Sequence, residues 1–344
     1  DYESALNEKI IIMKKKYNKD GLLINYILNE SNDKLNSEVN YAIDDPILIY
    51  SSINKRWQDK AQKLSQEILP QNIEISLISI DSNTGLIKTM ITSRYPRYNQ
   101  FNRVTSAIRP LSSTFKIIPY CLAFLEGKNL SDIYEDEPTC WKDYCPKNFS
   151  NKYMGPVTLI KAFSNSSNIV PIKISTEFGI KKIINLANLF GLGYHQKLES
   201  FLPIAIGAYG DSLLNITNAY STINNKGKLI DNSIIEKITS KTGEIIWKNK
   251  FIFKRIIDKD IANKLNLLLE KSVLDGSSRA ASIDGKRILG KTGTSDFNKD
   301  LWFIGSIKNI TTGIWIGFDD NRSTDLSSGT SANFWKIYIN KINI

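Results

Sequence analysis

Residues 287–318 read RILGKTGTSDFNKDLWFIGSIKNITTGIWIGF and contain three strand-like runs, Arg287–Thr294, Leu301–Ile307 and Gly313–Phe318. Each run is short and rich in β-branched and aromatic residues, and turn-forming residues separate it from the next. Runs of this length and spacing predict neighbouring strands of one antiparallel sheet.

Two similar runs, Ile75–Asp81 and Leu86–Thr92, lie far earlier in the chain and flank a hairpin-type turn, Ser82–Gly85. Between about residues 113 and 227 the apolar residues follow helical spacing, which predicts helices over Ser113–Glu126, Val157–Ser166, Ile180–Leu189 and Ser212–Asn224. Ala332–Ile344 is typical of a closing helix. This order predicts an α+β fold, with one antiparallel sheet of about five strands flanked by helices and a helical subdomain inserted.

The chain has 344 residues, enough for more than one domain. We interpret residues 1–70 as a polar linker or helical pedestal that precedes the main module, residues 71–344. The helical insert occupies about residues 113–227 of that module. No stretch approaches the roughly 18 apolar residues that span a bilayer. Since the sequence opens at Asp1, we expect it to be cut from a longer protein that carries the anchor.

Hydrophobic residues make up 42% of the chain and charged residues 23%, as in a soluble globular protein. The formal net charge is +10, from 45 Lys+Arg against 35 Asp+Glu. The densest cluster, Lys14–Lys16, lacks the arginine and aromatic residues of a nucleic-acid groove. We therefore expect no nucleic-acid partner.

Three cysteines and one histidine show no metal-ligand spacing, so the sequence predicts neither a metal nor a cofactor. Cys140 and Cys145 close a short loop, and their residues alone leave open whether a disulfide joins them. Cys121 lies on an apolar helical face and is expected in the core. His195 is expected in a loop, so serine chemistry here would need a base other than histidine.

The pattern Ser-x-x-Lys occurs three times, at Ser31–Lys34, Ser52–Lys55 and Ser113–Lys116. It places a hydroxyl and an amine on one face of a helix, where a buried lysine of lowered pKa can accept the serine proton. Only Ser113 begins an apolar helix. An isolated match is more often a helix N-cap.

Lys-Thr-Gly occurs twice. Lys241–Gly243 lies between two strand-like runs and is typical of a turn, whereas Lys291–Thr294 continues a strand. A strand glycine lets a substrate backbone approach closely, and a lysine with neighbouring hydroxyls can hold a carboxylate. The alternative for Lys291–Thr294 is a solvent-exposed edge strand.

Ser-x-Asn begins at Ser52, Ser166 and Ser331. Ser166–Asn168 ends a helical stretch of the insert, where its hydroxyl and carboxamide would face a cleft between insert and sheet. The alternative is a helix C-cap followed by a loop.

The order Ser113–Lys116, Ser166–Asn168, Lys291–Thr294 resembles the active-site motifs of penicillin-binding proteins and serine β-lactamases. The sequences around these motifs are similar to the transpeptidase module of class A penicillin-binding proteins. The matching segments are Phe101–Thr105, Gly155–Leu159, Asn218–Thr222, Asp300–Gly305 and Gly313–Asp320. The resemblance extends from about residue 48 to the end.

The resemblance implies a D,D-transpeptidase that acts on peptidoglycan stem peptides. Ser113 would attack the penultimate D-Ala carbonyl, with Lys116 as general base. Ser166 and Lys291 would pass a proton to the departing D-Ala. Asn168 would bind the donor peptide amide.

The strand would contribute Lys291, Thr292, Gly293 and Thr294 to substrate binding, with Lys291 and the two threonines on the terminal carboxylate. The backbone N–H groups of Ser113 and Thr294 would form the oxyanion hole. The resemblance also implies acylation by β-lactams, an amine acceptor from a second strand, and a position at the periplasmic face of a bacterial plasma membrane.

One departure from the family pattern concerns Leu111 and Ser112, which stand where the family usually has Pro-Gly. We expect an altered turn before Ser113 and a changed catalytic efficiency. No glycosyltransferase pattern is found. Two alternatives stay open: a serine β-lactamase and a non-catalytic penicillin-binding sensor or scaffold. A β-lactamase needs a deacylating base such as a glutamate near the acyl ester, and no carboxylate of Glu126–Glu137 has a sequence context that assigns it to this role.

Overall fold

The computed structural model describes residues 21–39, 46–95, 101–149, 151–193 and 200–344. The lysine cluster Lys14–Lys16 and the predicted loop position of His195 lie outside these residues. So do residues 1–20 and 40–45 of the predicted pedestal.

Fourteen strands lie within the described residues. In chain order they are β1 Ile47–Ser51, β2 Glu74–Asp81, β3 Ile87–Ile91, β4 Arg109–Pro110, β5 Ile133–Asp136, β6 Gly155–Thr158, β7 Gly210–Asp211, β8 Lys228–Ile230, β9 Ile235–Ser240, β10 Ile245–Lys248, β11 Phe253–Arg255, β12 Leu289–Thr294, β13 Asp300–Ile307 and β14 Ile310–Gly317.

The α-helices of the described residues are α1 Gly21–Lys34, α2 Lys55–Glu67, α3 Ile117–Leu125, α4 Leu159–Ser164, α5 Ile169–Phe178, α6 Ile180–Leu189, α7 Leu213–Asn224, α8 Lys259–Asp275 and α9 Ser328–Ile342. Shorter 3-10 turns cover Ser112–Lys116, Leu202–Ile206, Arg279–Ala281 and Asp296–Asn298, and a π-helical turn covers Leu35–Val39. Within the described ranges, none of these helices is both long and apolar enough to cross a bilayer.

The main sheet has five strands in the order β12–β13–β14–β2–β3, and every neighbouring pair is antiparallel. The early hairpin β2–β3 therefore pairs with a strand from the end of the chain. This confirms the predicted α+β fold and the sheet completed by both ends of the domain.

The sheet separates two apolar cores because side chains alternate between its faces. On β13, Trp302 and Ile304 belong to the core that α7 covers, whereas Leu301 and Phe303 belong to the core beneath α9. Helix α2 packs beside α9 and β3 on that second face. Burial on both faces accounts for the nearly continuous apolar sequence of β13 and β14.

The helical insert differs from its prediction at its second helical stretch. The segment Val157–Ser166 was expected to be one helix, but Gly155–Thr158 forms strand β6, which pairs with β5, and the helix covers only Leu159–Ser164. Pro156 lacks an N–H, so the pair depends on the other residues of this short strand. Helix α5, which follows Asn168 at once, was not predicted.

The cysteines of the described residues are all placed. Cys140 and Cys145 form a disulfide in the loop between β5 and β6. Cys121 is fully buried in α3, which confirms its predicted core position.

Candidate active site

The turn that carries Ser113 is the 3-10 segment Ser112–Lys116, directly before α3. Ser112 has φ +51°, the left-handed region that glycine adopts more easily. Its N–H donates to the Gly207 carbonyl at 2.9 Å. A Cβ at Gly207 would lie 2.0 Å from the Ser112 carbonyl oxygen, so only glycine permits this approach. Ser112 therefore adopts a φ that glycine favours, at the position where the family usually has glycine.

Three further hydrogen bonds fix this turn. The Trp302 indole N–H donates to the Pro110 carbonyl at 2.9 Å, and the Tyr220 hydroxyl donates to the Thr114 carbonyl at 2.8 Å. The Leu111 N–H donates to the Tyr209 carbonyl at 2.8 Å.

Lys116 lies one turn after Ser113 and is fully buried. Its Nζ donates to the Ser166 carbonyl at 2.7 Å and to the Asn168 Oδ1 at 2.6 Å, with the Ser166 Oγ at 3.3 Å. Both short bonds go to pure acceptors, which a neutral amine satisfies with its two hydrogens. A neutral Lys116 therefore keeps its lone pair available for a proton.

Ser166 lies between two lysines. The Lys291 Nζ donates to the Ser166 Oγ at 2.9 Å, and Lys116 approaches the same oxygen from the other side. Ser166 has φ +59°, a left-handed conformation that turns the chain from α4 into α5. The structure therefore joins residues from all three motifs through one hydroxyl.

The electrostatics of the two lysines follow from their burial. Desolvation and the Lys291 charge hold the pKa of Lys116 well below its ordinary value, and the Asp136 carboxylate partly opposes this. Burial lowers the pKa of Lys291 to about 7. An uncharged amine is thus accessible near neutral pH, as a general base requires.

Strand β12 passes directly beside the turn that carries Ser113. A Cβ at Gly293 would lie 2.9 Å from the Thr114 Cγ2 and 3.1 Å from the Leu111 carbonyl oxygen. The glycine is therefore required by contact with the turn. Thr292 is buried, and Thr294 ends the strand half-buried. Strand β12 is the edge of the main sheet, but the alternative of a solvent-exposed strand does not hold for Lys291, which is fully buried.

A family model for the penicillin binding protein transpeptidase domain matches residues 75–319. The chain belongs to this family. The predicted resemblance to the class A transpeptidase module is confirmed.

Individual relatives agree. The chain is 33% identical over 264 residues to penicillin-binding protein 1A of Aquifex aeolicus, covering 75% of this chain and 36% of that protein. It therefore spans about a third of that relative's length. The structure of PonA1 from Mycobacterium tuberculosis has a TM-score of 0.84 at 18% identity, covering 94% of this chain and 91% of that one. A second PonA1 structure, in complex with penicillin V, has a TM-score of 0.83 at 18% identity and covers 94% and 93%.

The transpeptidase domain contains a site residue that sequence reasoning missed. Ser277 follows α8, and its Oγ lies 3.4 Å from the Lys291 Nζ and 3.3 Å from the Thr292 Oγ1. A Cβ at Gly276 would lie 2.2 Å from the Ser164 carbonyl oxygen, so this glycine brings Ser277 to the site. A Gly-Ser pair after a helix is too common a signal to have identified it.

Two further residues, which the sequence did not identify, form hydrogen bonds to the Ser166–Asn168 motif. The Asn148 Oδ1 accepts the Asn168 N–H at 2.8 Å, and the buried Asp136 accepts the Ser167 hydroxyl at 2.7 Å. Both residues come from the segment around the disulfide, and their spacing matches no pattern that we recognised.

In the other two Ser-x-x-Lys copies the serine hydroxyl donates to a backbone carbonyl. The Ser31 hydroxyl donates to the Leu28 carbonyl at 2.8 Å, and the Ser52 hydroxyl donates to the Ile87 carbonyl at 2.7 Å. Over the described ranges no group of three or more histidine, cysteine, aspartate or glutamate side chains could hold a metal ion.

Proposed function

We propose that this domain is a peptidoglycan D,D-transpeptidase that forms peptide crosslinks through an acyl-enzyme on Ser113. The observation that carries the proposal is the hydrogen-bonded chain from Lys116 through Ser166 to Lys291, in which both lysines are buried and Lys116 lies one turn after Ser113. It supplies a base for the nucleophile and a path for the proton without a histidine.

In the acylation step, the Ser113 Oγ attacks the penultimate D-Ala carbonyl and gives its proton to neutral Lys116. The C–O bond forms and the C–N bond to the terminal D-Ala breaks. The departing amine takes its proton from Ser166, which recovers one through its contacts with Lys116 and Lys291. The proton taken from serine thus leaves on the D-Ala amine.

Substrate binding is assigned to β12 and the second motif. Lys291, Thr292 and Thr294 bind the terminal carboxylate, and the N–H groups of Ser113 and Thr294 stabilise the oxyanion, at about 3–4 kcal/mol for a donor. Asn168 binds the donor peptide amide. Its Oδ1 already accepts from Lys116, and the second lone pair of this carbonyl oxygen can accept the peptide N–H.

The acyl-enzyme is resolved by an amine from a second peptide strand, which completes the crosslink. β-Lactams acylate the same serine, as the penicillin V complex of PonA1 supports. We place the domain at the periplasmic face of a bacterial plasma membrane, held by an anchor in its full-length parent. The cell-wall roles of the bacterial relatives support this placement.

Labelling with a fluorescent penicillin, followed by a chase with unlabelled drug, tests the nucleophile. We expect a label on wild type that persists for many minutes and is lost in Ser113→Ala. Ser52→Ala, in another Ser-x-x-Lys copy, is the matched control and should keep the label. A label lost within seconds would identify a β-lactamase. The absence of a label on folded wild type would leave a scaffold.

Turnover is tested with a stem pentapeptide and a free amine acceptor, with products separated by mass. We expect release of D-Ala together with a peptide–amine adduct. Release of D-Ala without the adduct would show a carboxypeptidase instead of a transpeptidase. Acylation by penicillin without either product would support the sensor alternative.

A further inference from the structure

The fully buried carboxylate of Asp136 lies next to the Ser166–Asn168 motif. Asp136 ends β5, and its two oxygens accept four hydrogen bonds. The donors are the Ser167 hydroxyl at 2.7 Å, the Met154 N–H at 3.0 Å, and the Asn148 Nδ2, which lies 3.1 Å from each oxygen. Every contact is a donor, which is the environment of an ionised carboxylate.

This carboxylate shares its partners with the turn that carries the motif. The Ser167 Oγ, which donates to Asp136, also accepts the N–H groups of Ile169 and Val170 at 3.2 Å each. Asp136 therefore orients the Ser167 side chain, which accepts the first two N–H groups of α5. Ser166 directly precedes Ser167 and has a left-handed conformation. A shift of Ser167 would therefore displace the Ser166 hydroxyl, which lies between the two lysines.

Asn148 holds the other side of the same turn. Its Nδ2 donates to Asp136, and its Oδ1 accepts the Asn168 backbone N–H at 2.8 Å. The neighbouring Lys147 carbonyl accepts the Asn168 Nδ2 at 2.7 Å, which directs the Asn168 Oδ1 towards Lys116. Asp136 and Asn148 thus fix two of the atoms that hydrogen-bond to Lys116.

The charges around Lys116 make Asp136 more than a hydrogen-bond acceptor. Lys291 on β12 disfavours the Lys116 ammonium, and Asp136 on β5 favours it. Asp136 also interacts with the Tyr120 phenol on α3, whose pKa is raised by burial and by the Asp136 charge. The buried Lys116 therefore experiences two opposing charges, that of Lys291 and that of Asp136.

We propose that Asp136 is a positioning residue of the acylation reaction, which holds the Ser166–Asn168 turn together with Asn148 and supplies a countercharge for the buried Lys116. This inference rests on the proposed function, because it assigns a role in that reaction. Asp136 acts through Ser167, Asn148 and Lys116 and does not touch the substrate.

The two parts of this role are separated by the pH dependence of the acylation rate. Asp136→Asn removes the charge and one acceptor, so the second-order rate with fluorescent penicillin should fall 10- to 100-fold. Its acid limb should move to lower pH, because Lys116 loses the group that favours its charged form. Asn148→Ala removes the hydrogen bonds alone. It should slow acylation and leave the acid limb where it is in wild type.

Glu135→Gln is the matched control, since Glu135 is the exposed neighbour of Asp136 on the same strand. It should change neither the rate nor the limb between pH 4.5 and 10. An Asp136→Asn profile that superimposes on wild type after scaling, or a rate equal to that of Glu135→Gln, would overturn the proposal. So would an equal limb shift in Asn148→Ala.

Thermal unfolding shows whether each variant is folded. If Asp136→Asn is not, Ser167→Ala and Asn148→Ala carry the test, because both leave the carboxylate in place. Wild-type rates in those two variants would then overturn the proposal. Failure of the proposed function looks different: wild type itself would not be labelled, or the label would lie on a residue other than Ser113.

Discussion

The tripeptide Lys-Thr-Gly occurs in two places and has opposite surroundings in each. Lys241–Gly243 forms the exposed turn between β9 and β10, where a Cβ at Gly243 would meet no atom within 4 Å. Lys291–Gly293 is buried in β12, and its glycine touches the nucleophile turn. The same three residues serve a hairpin in one place and a site in the other, so the neighbours decide what the motif does.

The largest expected difference is between the two lysines. Lys291→Ala removes the ammonium beside Ser166, and we expect the rate of penicillin acylation to fall about 100-fold or more. Lys241→Ala alters an exposed turn and should leave the rate unchanged. Stopped-flow labelling of the two variants measures this. Equal acylation rates in the two variants would contradict the different roles that we assign to the two Lys-Thr-Gly copies.

The burial of Lys291 also predicts a dependence of stability on pH. The pKa of Lys291 is about 7 in the folded chain, against about 10.4 for an unfolded lysine. Between these values the unfolded chain binds more protons, so the free energy of unfolding should rise with pH. The slope should approach about 1.4 kcal/mol per pH unit, and this contribution should be flat below pH 7.

Urea unfolding of wild type and Lys291→Met at several pH values from 6 to 10 isolates this term. Wild type should gain stability relative to the variant as the pH rises through the window. Parallel curves would show that Lys291 is not the group that titrates.

Alanine substitutions at Gly293 and at Gly243 should differ both in the property that changes and in the size of the effect. Gly293→Ala inserts a methyl group 2.9 Å from the Thr114 side chain, so we expect about 1–3 kcal/mol of lost stability together with slower acylation. Gly243→Ala meets no atom, but at φ +93° it should cost about 1 kcal/mol with no effect on acylation. Combined unfolding and labelling distinguish the two. Slower acylation in Gly243→Ala would contradict this interpretation.

The smallest effect concerns Ser112, a serine that has a positive φ, as Gly243 also does. Ser112→Gly removes the steric cost of the left-handed conformation but adds entropy to the unfolded chain. We expect a net gain of about 0.5–1 kcal/mol in stability. Acylation should change by less than about twofold, because the turn already has this shape. A large rise in rate would mean that the serine distorts the nucleophile turn.

The sequence predicted the parts of the domain that have a local pattern. Alternating and continuous apolar runs identified β2, β3, β13 and β14, and the order of three short motifs selected Ser113 and Lys291 from several copies. The Ser82–Gly85 hairpin turn could be predicted because turns favour residues such as serine, asparagine and glycine, and Gly85 supplies the positive φ of +74° that this turn needs.

The supports of the site were not predicted, because they depend on contacts between distant elements. Asp136, Asn148 and Ser277 are ordinary polar residues until β5, the disulfide segment and the end of α8 are brought together. Contacts between distant elements leave no periodic pattern of residues in the sequence. The roles of Ser113, Lys116, Ser166, Asn168 and Lys291 stay predictions until the variants are measured.

The pairing of β2 with β14 has a consequence for how the domain is made. Residues 74–81 are synthesised early, yet their partner strand ends at Gly317. Such pairing gives a high contact order, and the entropy of closing so long a loop slows folding. A growing chain keeps an open strand edge on β2 until nearly all of the domain has emerged. Lys291 then reaches Ser166 only in the final stage, so a truncated chain has the nucleophile and no site.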